Sequence, residues 1–391
     1  MVDKSLETGE QQMLRDDAAR GNADAQNRLG MMYSSGKGVP QDWGQATSWF
    51  RQAAEQGHAS AQFNLGVVYG NGQGLKQDLQ QATKWYRKAA HQGHAKAQFN
   101  LGLLYGNGQG VPQDYEQARA WYTDAADQGH AGAQNNLGLL FVNGHGVQRD
   151  RQKAMAWFRK AAEQGDAAAQ NNLGMTYANA GDALRDLDKA IFWYRKSADQ
   201  GYANAQFNLA VSYELGSGLA EDAQQALFWY GAAASQKHAK AQFSLARMID
   251  AGRGTAVDAP QALSWYRQSA ELGHARAQFV LATRYDSGQG LVQDHQKALA
   301  WYRRAAEQGH ARAQFNLGLM YLVGHGAPVD PVQAHKWFAL AEAYGSGEPG
   351  DKFGEKLGDK PQRHRLQAEA RLDALQLLQA ERLAREWTPR R

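Results

Sequence analysis

The sequence predicts an all-α protein built as a solenoid of helix–loop–helix repeats. A tryptophan followed by a second aromatic residue recurs every 36 residues without drift, and each interval carries two apolar stripes with helical spacing. The nine tryptophans of this series are Trp49, Trp85, Trp121, Trp157, Trp193, Trp229, Trp265, Trp301 and Trp337. A fixed period of this length is typical of stacked units, in which each unit buries its apolar face against its neighbours.

The period divides the chain into terminal segments and nine repeats. Residues 1–20 keep helical character without the aromatic pair, as expected of an N-terminal cap helix with one uncovered face. The repeats, numbered one to nine, are 21–56, 57–92, 93–128, 129–164, 165–200, 201–236, 237–272, 273–308 and 309–344. Residues 345–360 are predicted to form a Gly- and Pro-containing linker.

Each repeat is predicted to contain two helices of about 12–14 residues. In repeat three, Ala97, Leu101 and Tyr105 form the apolar stripe of the first helix. Trp121 and Tyr122 of the second helix are expected to fill the space between helices, since small residues let the backbones approach closely. Neither helix would be stable in isolation, so packing between helices must stabilise both.

Aspartate and glycine residues mark the helix ends. Asp114 and its counterparts precede the second helices, where a carboxylate can accept free backbone N–H groups. Gly129 ends the second helix, while Gly108 and Gly110 lie in the loop between the two helices. Repeat five departs from this pattern over residues 180–182, which predicts a local change of loop shape.

Composition excludes several classes of protein. The chain of 391 residues contains no cysteine, which excludes disulfide and thiolate chemistry, and no run of about 20 apolar residues that could cross a membrane. A net charge of +4, from 43 basic and 39 acidic residues, is too balanced to indicate nucleic-acid binding. No signal peptide is visible as written, which favours a cytoplasmic location, or a periplasmic or secreted one if the N-terminus was trimmed.

The string A-x-A-Q-F-N-L-G-L-L-Y-x-x-G-x-G-V-x-x-D-x-x-x-A-x-x-W-Y-x-K-A-A-x-Q-G resembles the Sel1-like repeat, a relative of the tetratricopeptide repeat. The resemblance covers residues 21–344, and the longer glycine-rich loop favours the Sel1-like form. It implies a right-handed superhelix that acts as an adaptor or scaffold, with the first helices lining a concave groove. The fold alone does not choose a partner.

A row of asparagines forms the first candidate binding site. These residues are Asn64, Asn100, Asn136, Asn172, Asn208 and Asn316. In the related tetratricopeptide family, the matching asparagine can bind a peptide backbone or a terminal carboxylate. Lys96 and Arg312 lie four residues before Asn100 and Asn316, which gives two clamp-like pairs. The alternative interpretation is that the amides only orient neighbouring helices.

Cations are the second candidate feature, since the first helices of the later repeats carry Lys240, Arg247, Arg276, Arg284 and Arg312. These predict an acidic or carboxylate-terminated protein segment as partner, with scattered solvated charges as the alternative. Phe99 and its counterparts at the same position are candidates for contact with the partner or for packing between repeats.

No catalytic, metal or cofactor site is predicted, because the potential catalytic groups recur along the array and do not converge. The turn histidines, such as His94 and His130, are separated by the repeat rise. The predicted function is therefore a non-enzymatic scaffold or adaptor that binds a protein or peptide. An immunity or regulatory protein that inhibits one enzyme is the alternative, and a hydrolase-type enzyme is a more remote one.

The C-terminal segment, residues 361–391, is predicted to form one amphipathic helix. Pro361 opens it, and Leu366, Leu377 and Trp387 lie on its apolar face. The helix is expected to cap the last repeat. The alternative is a partner or dimerisation helix, so both a monomer and a dimer remain open.

Overall fold

A computed structural model describes residues 9–179, 185–345 and 357–389. Within these ranges every regular element is a helix, and none of the described residues lies in a strand. The predicted all-α repeat architecture is confirmed. The departure predicted at residues 180–182 lies outside the described residues, as do residues 1–8 of the N-terminal segment and most of the predicted linker.

The chain forms two compact units, Met1–Trp193 and Tyr194–Arg391, and the boundary falls within α11 (Leu187–Asp199). The helices of the first unit are α1 (Gly9–Ala19), α2 (Ala23–Ser35), α3 (Trp43–Glu55), α4 (Ala59–Asn71), α5 (Leu79–His91), α6 (Ala95–Asn107), α7 (Tyr115–Asp127), α8 (Ala131–Asn143), α9 (Arg151–Glu163) and α10 (Ala167–Ala178). Those of the second unit are α12 (Ala203–Leu215), α13 (Ala223–Ser235), α14 (Ala239–Asp250), α15 (Ala259–Glu271), α16 (Ala275–Ser287), α17 (His295–Glu307), α18 (Ala311–Val323), α19 (Pro331–Tyr344), α20 (Lys360–Glu369) and α21 (Ala374–Arg385).

Within each unit, consecutive helices pack side by side. The two helices of a repeat contact each other, as α6 does α7, and the second helix then contacts the first helix of the next repeat, as α7 does α8. The core is therefore a chain of small clusters, each shared by adjacent repeats. No helix in the described ranges is long and apolar enough to span a membrane.

The second residue of each aromatic pair fills the core, whereas the tryptophan is mostly half-buried. Tyr122 is 4% exposed and its ring lies against Gly102, where an added Cβ would meet the ring at 2.6 Å. Trp121 is only half-buried, and so is Trp193. Both aromatics therefore fill the space between helices as expected, but Trp121 does so only in part, packed against the core cluster shared with the preceding repeat. Trp337 is the buried exception because the C-terminal helices cover it.

The predicted helix ends are confirmed where the structure describes them. The Asp114 carboxylate accepts the backbone N–H groups of Glu116 and Gln117 at the start of α7. Gly108 adopts φ 66° at the C-cap of α6, a left-handed conformation that glycine adopts without steric cost. Gly129, with φ 86°, ends the second helix in the same region of conformational space.

The C-terminal segment forms two helices, where the sequence predicts one. The break lies at residues 370–373, and Asp373 opens α21 with a reciprocal capping box that involves Gln376. Both α20 and α21 pack on α19. The Trp387 ring lies edge-on to Trp337 at 6.3 Å between ring centroids.

Candidate functional site

The predicted asparagines lie half-buried on the first helices and bond to neighbouring side chains. Asn316 donates to the hydroxyl of Tyr302 at 3.0 Å. Asn136 hydrogen-bonds in the same way to Tyr122, where burial raises the pKa of the phenol and the amide partly opposes that rise. Asn100 makes the equivalent bond to Tyr86. These amides hold the core tyrosine of the preceding second helix in place.

Where the core aromatic is phenylalanine, the asparagine finds another partner. Phe50 and Phe158 offer no hydroxyl, and Asn64 instead donates to Asn27 Oδ1 at 2.9 Å. Asn172 donates to Asn135 Oδ1 at the same distance. The orienting interpretation therefore accounts for these amide contacts without a ligand. Asn208 is half-buried like the others.

The phenylalanines of the first helices stack between repeats. The Phe99 ring lies 4.6 Å from the His130 ring, with 25° between the planes, and 6.1 Å from the Tyr122 ring.

His130 Nδ1 accepts the backbone N–H of Ala133, so the imidazole also caps α8. The sequence analysis did not predict that this histidine both caps a helix and stacks on a phenylalanine. Asn22 and Asp166, both good N-caps, occupy the histidine's position in other repeats and were the available signal.

Four cations stand at the second residue of a first helix. Lys96, Lys240 and Arg276 are exposed, and Arg312 is half-buried. The last three lie on α14, α16 and α18, in three consecutive repeats of the second unit. A cation in the first turn faces the positive end of the helix macrodipole, an arrangement that destabilises the helix by about 0.3–1 kcal/mol. The helix macrodipole therefore does not favour cations at these positions.

The positive charges of Lys240 and Arg276 help to lower the pKa values of two nearby histidines, His238 and His274. Burial lowers the pKa of His274 to about 4, and the charges of Arg276 and Lys240 act in the same direction. His238 also has a lowered pKa, again through burial first and Lys240 second. The starts of α14 and α16 are thus electropositive, and an anionic group would be attracted there.

The remaining two predicted cations are held in internal ion pairs, which corrects their expected exposure to a partner. Arg247 pairs with Glu214, whose side chain is 6% exposed. The side chain of Arg284 is 7% exposed and lies 2.6 Å from the Asp250 carboxylate. Both guanidinium charges are matched within the second unit, because a buried charge is costly without a counterion.

The acids of these pairs were missed from the sequence. Glu214, Asp250 and Asp286 occupy one repeat position, which is glycine at Gly70 and Gly106. Glu214 also accepts a 2.8 Å hydrogen bond from Tyr230 and lies 3.0 Å from Arg253 Nη1. An acid in place of glycine in three consecutive repeats was the sequence signal that could have predicted these ion pairs.

Comparison with known proteins agrees with the repeat geometry. The family profile described as Sel1 repeat matches nine consecutive segments, 23–58, 59–94, 95–130, 131–166, 167–202, 203–238, 239–274, 275–310 and 311–343. The chain belongs to the Sel1 repeat family. Sel1 repeat proteins generally mediate protein–protein interactions and are typically not enzymes.

Two solved Sel1 repeat structures resemble the chain over most of its length. One is a protective antigen of uropathogenic Escherichia coli with an SLR fold: it is 32% identical, with 96% of this chain and 94% of that chain covered and a TM-score of 0.62. The other is a Sel1 repeat protein from Oxalobacter formigenes, also 32% identical, with 88% of each chain covered and a TM-score of 0.56. A search of curated proteins found no match.

Proposed function

We propose that this Sel1 repeat chain is a non-enzymatic adaptor that binds an acidic or carboxylate-terminated protein segment. The segment would lie along the first helices of repeats seven to nine, on the side expected to be concave. Lys240, Arg276 and Arg312 would pair with its carboxylates, as charge-assisted hydrogen bonds favour. Lys96 with Asn100 is the comparable cation and amide in repeat three, on a separate unit.

The single observation that supports this proposal is the cation at the start of three consecutive first helices. Each of these cations opposes the helix macrodipole. Lys240 and Arg276 together also disfavour protonation of His274. A feature that the helix macrodipole disfavours and that creates a local positive potential supports attraction of an anion.

Affinity purification from the source cells, followed by quantitative mass spectrometry, tests the proposal. The wild-type chain is compared with the double variant K240E/R276E. The matched control is R267E/R304E, which makes the same change of charge at exposed positions on α15 and α17. We expect partners with acidic or free carboxylate ends to be lost from K240E/R276E and retained by the control.

The composition of the captured material separates the kinds of binding protein. Several components of one assembly would support a scaffold, whereas one stoichiometric enzyme whose activity is blocked would identify an inhibitor. Equal recovery of every partner by both double variants would refute the proposed surface. Robust turnover of a substrate by the purified chain would refute a non-enzymatic function.

A further inference from the structure

Two histidines and an aspartate meet at the contact between repeats eight and nine. Asp286 lies near the end of α16, His295 begins α17, and His325 lies in the loop after α18. One ligand atom from each residue lies within 4.8 Å of the other two. Asp286 Oδ1 is 2.8 Å from His295 Nδ1, and the two imidazole rings stack at 4.8 Å between centroids. This convergence was not predicted from the sequence, which drew attention to the turn histidines.

The contact between repeats three and four shows what the fold requires at these positions. There Tyr115 stacks on His145 at 4.4 Å in the equivalent arrangement, and the position of Asp286 is Gly106. Stacking of a loop residue on the start of the preceding second helix is therefore a packing feature of the repeat. The second imidazole and the carboxylate are additions that packing does not require, and both are metal-binding groups.

The backbone keeps the two histidines close. Gly326 has φ 75°, and a Cβ at this position would lie 2.2 Å from the carbonyl oxygen of His295. The loop that carries His325 is thus pressed against the first turn of α17. Asp286 and His295 are each 35% exposed and the side chain of His325 is exposed, so an ion can reach all three.

We infer that Asp286, His295 and His325 bind one divalent transition metal ion, for which zinc is the best match. Imidazole nitrogen and carboxylate oxygen are preferred zinc ligands, and three protein ligands leave a fourth position for water or another group. Tetrahedral donors about 2.0–2.1 Å from zinc lie roughly 3.3 Å apart. Binding therefore requires the exposed His325 ring to leave its stack and turn its lone pair towards the ion.

The bound ion would join the loop of repeat nine to both helices of repeat eight. This role is independent of the binding function proposed above, because none of the three ligands belongs to the cationic surface. Metal that binds the folded chain in preference to the unfolded chain also stabilises it. The melting temperature is therefore expected to rise with zinc.

Two titrations of the metal-free full chain test the site. Calorimetry follows the binding of Zn²⁺, and visible absorption follows the binding of Co²⁺. The variants H295A and H325Q introduce residues that the chain already uses at these positions, Ala259 and Gln289, so the fold should be retained. Loss of a residue that only hydrogen-bonds to a metal ligand weakens metal binding by about 10–100-fold. Loss of a ligating histidine, in H295A or H325Q, is therefore expected to weaken binding by at least about 100-fold. D286N should weaken binding by at least about tenfold.

The control is H145Q, which removes the histidine of the equivalent stack between repeats three and four. We expect the wild-type chain and H145Q to bind one ion per chain with equal affinity, and zinc to raise the melting temperature of both. Absence of stoichiometric binding to the wild-type chain would overturn the inference. Equal affinity of H295A, H325Q and wild-type protein would overturn it as well.

Discussion

A buried glutamine near the start of each first helix links adjacent helices. In repeat three, Gln98 Nε2 donates to the carbonyl of Ala90, and Gln98 Oε1 accepts from Gln128 at 2.6 Å. Glutamine is polar and is mostly exposed in proteins. Gln98 is 5% exposed, and only its two fixed partners make that burial favourable.

In repeat seven the buried glutamine, Gln242, lacks the hydrogen bond to its side-chain oxygen. Leu272 replaces the donor glutamine, and Gln242 Oε1 is buried without a hydrogen-bond partner. L272Q should restore the bond seen between Gln308 and Gln278, and raise the free energy of unfolding by about 0.5–1.5 kcal/mol. Urea unfolding, with hydrogen exchange to localise the gain, measures the effect. L272A removes the same leucine without adding a donor, and a gain equal to that of L272Q would contradict the explanation.

The lowered pKa of His274 makes stability depend on pH. Between pH 6.5 and about 4, the unfolded chain takes up a proton at this residue that the folded chain does not. Stability should therefore fall as the pH drops through this window and should be insensitive to His274 above it. H274N keeps an N-cap like that of Asn22 and should reduce the fall, as measured by urea midpoints at pH 7 and 4.5. An unchanged pH dependence would contradict the assignment to His274.

The periodic helices could be predicted from the sequence, and the two C-terminal helices only in part. A repeated stripe and a repeated Asp cap identify α3 to α19 because each feature is seen many times. The C-terminal segment occurs once, and its apolar spacing continues across the break at residues 370–373. The capping box at Asp373 was present in the sequence, but the continuous stripe favoured a single helix.

The C-terminal helices should act as a cap on the last repeat. Trp387 contacts the rings of Trp337 and Tyr344, and Trp337 is the buried tryptophan of the aromatic series. W387A should lower the free energy of unfolding by about 2 kcal/mol, roughly half the cost for a fully buried tryptophan. Deletion of residues 361–391 should expose Trp337 and promote aggregation, which light scattering and dye binding would detect.

A matched control for the C-terminal cap is L375A, because the leucine on α21 is 79% exposed. Its effect should stay within about 0.5 kcal/mol. If the truncated chain remained a stable monomer with an unchanged melting temperature, the C-terminal helices would instead serve a partner or a second copy of the chain.

The repeats of the chain share one packing scheme but differ in charge. The second residue of the first helix is, in order, Asp24, Ser60, Lys96, Gly132, Ala168, Asn204, Lys240, Arg276 and Arg312. The sequence therefore predicted where cations concentrate. It could not separate Lys240 and Arg276, which are exposed, from Arg247 and Arg284, which pair with acids far along the chain.

The most direct test is the affinity of the captured acidic segment for the purified chain and its charge variants. We predict that K240E/R276E weakens binding by at least about tenfold, or 1.4 kcal/mol, while R267E/R304E changes it by less than about twofold. Wild-type affinity should also fall as salt is raised, because exposed charges are screened. Equal affinities for all three proteins, with no dependence on salt, would contradict an electrostatic binding surface on repeats seven to nine.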